Sequence, residues 1–77
     1  MYSIVEESNL QLYAQTLQSR DKPMSQRMNS LFCLRTLASL EAIDACFEAF
    51  RIEVDSELLR HEICYCLGQM NKSDEHT

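Results

Sequence analysis

The sequence predicts an all-α chain, a short helical-repeat segment of about four antiparallel helices forming one unit over 1–77. Three observations carry that reading. Gly and Pro occur once each, which leaves little material for hairpin turns and favours helices joined by short polar connections. Apolar residues recur at helical spacing in successive stretches separated by polar breaks. The last stretch, slid back by about 33 positions, falls on the second: Arg60 on Arg27, Tyr65 on Phe32, Cys66 on Cys33, Leu67 on Leu34 and Met70 on Leu37. A period of that length suits helix pairs that stack on one another to bury a shared core.

The first helix is expected over about Ile4–Leu17. Leu10, Tyr13 and Leu17 form its cleaner stripe, and Val5, Asn9 and Leu12 a looser one. Ser19–Pro23 is a polar break in which Asp21 can cap the next helix and Pro23 suits its first turn. The second helix runs to about Leu37, with Met24, Met28, Leu31, Leu34 and Ala38 on one side and Phe32 beside them. Ser39 is the expected N-cap of the third, over about Glu41–Phe50, whose stripe is Ile43, Cys46, Phe47 and Phe50. After a connection at Arg51–Asp55, Asp55 or Ser56 caps a fourth helix ending near Met70, and 71–77 reads as a frayed polar tail.

Hydrophobic residues make up 45% of the chain, enough to fold. Seven basic residues face twelve acidic ones, a formal charge of −5, so no nucleic-acid partner is expected: a phosphate backbone calls for a basic patch. The cysteines at 33, 46, 64 and 66 form no Cys-x-x-Cys, and Cys64 and Cys66 project from different sides of a helix. That spacing argues against a disulfide framework or a thiolate zinc site and for reduced thiols in an intracellular protein. The opening stretch is acidic without an apolar core, unlike a signal peptide, and no apolar run reaches membrane length.

The fourth helix holds the residues with chemistry. At 100° per residue, Leu59, Ile63, Cys66, Leu67 and Met70 fall within one arc, an ordinary buried stripe. His61 projects opposite that arc, with Tyr65 and Gly68 on its side and Glu62 between the two faces. A helix-interior Gly costs about 1 kcal/mol relative to Ala, so Gly68 implies either tight packing or a close approach on the His61 side. The pair is not a zincin motif, because the second imidazole one turn on is replaced by Tyr65. One His and one carboxylate supply part of a metal's shell, and the same pair on a helix is also ordinary solvated surface. The residues by themselves leave both readings open.

The stretches SELLRHEICYCLGQM (56–70) and RMNSLFCLRTLASLEAIDACFEAF (27–50) closely resemble the N-terminal region of deoxyhypusine hydroxylase. The resemblance runs from about Leu17 to Met70. Its most specific element is Leu-Leu-Arg-His-Glu followed by Tyr-Cys-Leu-Gly-Gln-Met, supported by Leu31–Leu37 upstream. The resemblance implies a HEAT-like α-solenoid. It also implies a pair of iron ions held through His-Glu motifs, and hydroxylation of the deoxyhypusine side chain of a eukaryotic translation initiation factor in the cytoplasm. His61-Glu62 matches the first such motif. His61 is then a metal ligand, and Glu62 either a metal ligand or a catalytic carboxylate that meets the substrate's amine.

The family carries four His-Glu motifs and this chain one; the repeat period places the next beyond Thr77, and His76 does not replace it. The chain alone is therefore expected to be inactive and to bind iron weakly or not at all. The alternative is a non-catalytic HEAT-like module that binds a protein or associates with itself through an exposed stacking face. A weaker third reading completes a metal site across a symmetric oligomer.

Overall fold

In a computed structural model that describes residues 5–75, the chain is all helical among those residues. A 3₁₀ turn at Glu7–Asn9 leads into α1 (Leu10–Gln18), followed by α2 (Met24–Leu37), α3 (Leu40–Ile52) and α4 (Glu57–Glu75). The helices form two layers. α1 packs on α3 in one and α2 on α4 in the other, while α1 with α2 and α3 with α4 make the two hairpins. This is the arrangement a repeated helix pair produces, and α2 and α4 begin at equivalent positions of the repeat seen in the sequence.

One matched residue of that repeat has a shared task. Arg27, in the first turn of α2, donates from Nε to the carbonyl of Leu17 near the end of α1 at 3.0 Å. Arg60, its counterpart in α4, donates from Nη1 to the carbonyl of Glu53 just past α3 at 3.0 Å. Each arginine satisfies a carbonyl that the preceding helix leaves without an intrahelical partner and sets a positive charge at the negative end of that helix.

The core joins Leu10, Leu17, Leu31, Leu34, Cys46, Leu59, Ile63, Cys66 and Met70 across all four helices. Several expectations change here. α1 begins at Leu10 rather than Ile4, since Glu6 is extended (φ −121°, ψ 139°); Ile4 itself lies outside the described residues. Leu12 is exposed, because Ala14 completes the buried side of α1. Asp21 does not cap α2. Pro23 occupies the N-cap with extended backbone, no side chain bonds there, and its carbonyl accepts from Gln26 and Arg27. Met24 and Phe32 are partly exposed, and the buried stripe of α2 is turned toward Arg27 and Ser30.

α3 departs furthest. Its buried face is Ala42, Ala45, Cys46 and Ala49, with Ile43 and Phe50 at the border, whereas Phe47 is 55% exposed. Small side chains let α1 approach closely enough for the Gln18 amide to donate to the Ala45 carbonyl at 3.1 Å, and a phenylalanine ring has no room in that contact. Ser39 does cap α3, its hydroxyl accepting from the Ala42 N–H at 3.1 Å. Ser56 rather than Asp55 caps α4, accepting from Leu59 at 3.1 Å, while Asp55 pairs with Arg20 at the surface. The backbone of 71–75 continues α4, so that helix runs past Met70; the remainder of the expected tail, His76 included, lies outside the described residues.

The connection between α3 and α4 is held from within by a buried ion pair. Arg27 is 3% exposed and Glu53 2%, with Nη2 and Oε1 2.6 Å apart. Glu53 also accepts from the N–H of Ser56 at 3.0 Å and of Asp55 at 3.3 Å. Burial pushes the Glu53 carboxyl up, but the Arg27 guanidinium, the Ser56 N–H and the charges of Arg27 and Arg20 outweigh it, so its pKa lies below the ordinary carboxylate value.

Candidate functional site

α4 is two-sided, as the angular arithmetic of the sequence predicts. Leu59, Ile63, Cys66, Leu67 and Met70 are all buried against the other helices. On the opposite side His61, Cys64, Tyr65 and Gly68 are exposed, and Glu62 is half-buried at the edge between the faces. The Glu62 charge reaches the core side of the helix: burial pushes the Cys66 thiol up and the Glu62 carboxylate adds to it, against the opposing pull of Arg35.

Gly68 is not explained by packing within this chain. A Cβ built there meets nothing within 4 Å, so among the described residues no neighbour needs its absence. Gly68 instead floors a shallow depression lined by Cys64, Tyr65 and Gln69. Polar groups from two helices border it. Arg35 of α2 donates from Nη1 to the Gln69 side-chain oxygen at 3.3 Å, and Gln69 donates from Nε2 to the Tyr65 hydroxyl at 3.1 Å. The Arg35 guanidinium lies over the Phe32 ring, 5.2 Å from its centroid. Sequence reasoning placed Tyr65 beside Gly68 but missed Arg35 and Gln69. Nothing local marks that contact, which joins residues of different helices.

Chemically, the face offers an accessible imidazole, a neighbouring carboxylate and an oriented phenol. An imidazole and a carboxylate suit a first-row transition metal and leave positions for other ligands. Among the described residues no three His, Cys, Asp or Glu side chains are grouped to hold a metal ion. His61 and Glu62 amount to two donors, short of a metal's full set, so no reaction step is assigned to an ion held by this chain alone.

A second exposed feature lies between the two helices of the α3–α4 hairpin. Phe47, Phe50 and the Arg60 stem line an open groove between α3 and α4, with Asp44, Glu48 and Arg51 on its rim. Val54 and Leu58 are exposed near the α3–α4 turn. No helix among the described residues is long and apolar enough to cross a membrane.

Comparison with known proteins places the chain by similarity. No family model matches it, and no solved structure does. Several curated proteins do. The deoxyhypusine hydroxylase of Drosophila pseudoobscura pseudoobscura is 39% identical over 67 residues, covering 87% of this chain and 22% of the relative. That of Xenopus laevis is 44% identical over 63 residues, 82% of this chain and 20% of the relative. That of Homo sapiens is 42% identical over 67 residues, with the same coverage as the Drosophila protein. The chain thus spans about a fifth of the length of the relatives it matches. Over most of its own length, it is homologous to a segment of deoxyhypusine hydroxylase.

Proposed function

We propose that this chain is the N-terminal HEAT-like segment of a deoxyhypusine hydroxylase and contributes His61 and Glu62 to its active-site surface. In this reading His61 is an imidazole ligand of one of two iron ions completed by His-Glu motifs elsewhere in the enzyme. Glu62 ligates iron or receives the ammonium group of the deoxyhypusine side chain, a charge-assisted contact that a carboxylate makes well. The substrate is a translation initiation factor and the compartment the cytoplasm. The observation that carries the proposal is the separation of faces on α4. Every stacking residue is buried, while His61 and the packing-free Gly68 are turned outward, within a segment related to the hydroxylases.

The test is hydroxylation of a deoxyhypusine-bearing initiation factor by the complete protein that carries this segment. His61→Ala is expected to abolish turnover and lower iron content, and Glu62→Gln to reduce turnover. Full activity in His61→Ala would overturn the assignment.

A second reading has its own support in the exposed Phe47, Val54 and Leu58 around the α3–α4 groove. It makes the segment a non-catalytic HEAT-like module that associates through this face. Light scattering on the 77-residue chain separates the cases: association supports it, and a monomer at high concentration counts against it.

A further inference from the structure

The outer face of α4 holds a run of hydrogen bonds whose direction is forced. Arg35 can only donate, so the Gln69 side-chain oxygen must be the atom that faces its Nη1. The Gln69 nitrogen is then turned to Tyr65, and the phenol oxygen accepts from it. Among the described residues the phenol's own proton has no acceptor. Tyr65 is 57% exposed, so that proton is free to be donated to an incoming group. Beside the ring, the missing side chain of Gly68 leaves an open floor in the depression. The relay is anchored outside α4, because Arg35 belongs to α2 and is held over Phe32. His61 precedes Tyr65 by one helical turn on the same face.

We infer that the Tyr65 hydroxyl is a substrate-binding donor for a main-chain carbonyl of the polypeptide substrate, laid against Gly68 beside His61 and Glu62. The inference rests on the hydroxylase reading above. A main-chain carbonyl is the acceptor that fits. The depression is lined by a thiol, a phenol, a glycine and an amide, none of them charged, and the bordering Arg35 guanidinium is already engaged by the Gln69 oxygen and the Phe32 ring. A glycine floor lets a second backbone approach where a side chain would hold it off. Gln69 and Arg35 are positioning residues, since they fix which way the phenol donates. The contact is made before the chemistry and persists through it, so it is uniform binding that lowers KM and leaves kcat unchanged.

The test uses the complete iron-loaded protein carrying this segment and a deoxyhypusine-bearing protein substrate. Tyr65→Phe is expected to raise KM about 3- to 10-fold, the loss of one neutral hydrogen bond, with kcat and melting temperature unchanged. Gln69→Leu lets the phenol turn and raises KM in the same direction by less. Binding of the unmodified, lysine-bearing substrate protein, read by fluorescence anisotropy, weakens in Tyr65→Phe by the same factor, because the contact is to main chain. An unchanged KM in Tyr65→Phe, or a fall in kcat at constant KM, overturns the assignment while leaving the hydroxylase reading intact. A wild-type protein that does not hydroxylate the substrate overturns both.

Discussion

The buried pair of Arg27 and Glu53 gives the sharpest test of how this small segment holds together. Both side chains are almost fully buried, and the carboxylate also accepts two N–H groups from the α3–α4 turn. Replacing one partner by leucine leaves the other charge unpaired in the interior, at a cost of about 3–5 kcal/mol. A chain of 77 residues has a total stability of roughly 4–12 kcal/mol, so either single variant removes a large part of it. At roughly 4–8 °C per kcal/mol, the melting temperature falls by at least about 12 °C. The double variant Arg27→Leu with Glu53→Leu buries no charge. It still loses the bond to Leu17 and the bonds to Ser56 and Asp55, so it does not return to wild type. It is expected to lose about 2–3 kcal/mol less than the two singles added together. Urea unfolding followed by far-UV circular dichroism measures all four corners of the cycle. Losses that add to within about 0.5 kcal/mol would show that the two groups do not act as a pair and would refute the reasoning. The pair also sets an acid dependence. The Glu53 pKa is lowered in the fold, so its contribution is complete above the unfolded carboxylate value of about 4.3 and is lost as pH falls through the folded value. Glu53→Leu should remove that part of the acid sensitivity.

Other expectations follow from single positions. Cys64 is the exposed thiol, whereas Cys33, Cys46 and Cys66 are buried, and burial with the neighbouring Cys66 sulfur pushes Cys46 up to about 12. A maleimide at neutral pH should therefore label one thiol in the native chain and the rest only on unfolding; rapid labelling that survives Cys64→Ser would contradict this. Gly68→Ala should stabilise the isolated chain by about 0.5–1 kcal/mol, since the added methyl meets nothing; destabilisation would reveal a neighbour that the packing does not contain. Ser39→Ala should cost about 1 kcal/mol by removing the acceptor for the Ala42 N–H, measured as a shift in the urea midpoint, and no shift would mean that the cap contributes nothing.

The candidate site was legible where it depends on one helix. The exposure of His61 and the burial of Leu59, Ile63 and Met70 follow from their angles around α4, and any α-helix repeats those angles. The reason for Gly68 was not legible. Whether a glycine is required depends on what stands opposite it, and only the packing shows that nothing among the described residues does. The roles of His61 and Glu62 still rest on resemblance, because the groups that would complete a metal's shell are not among the described residues.

By itself the sequence determined that the chain is helical, where α4 turns its two faces, that Ser39 caps α3, and that the second and fourth helices repeat. These are local properties, set by side-chain spacing and by one hydroxyl reaching a nearby N–H. The tertiary structure decided which side of α3 is buried, because apolar spacing cannot distinguish a phenylalanine stripe from an alanine stripe until a neighbouring helix demands the smaller one. It decided that Arg27 meets Glu53, and that Arg35 aims Tyr65 through Gln69. The Arg27–Glu53 and Arg35–Gln69 contacts join residues brought together only when one helix pair stacks on the next, so no short window of sequence contains both partners.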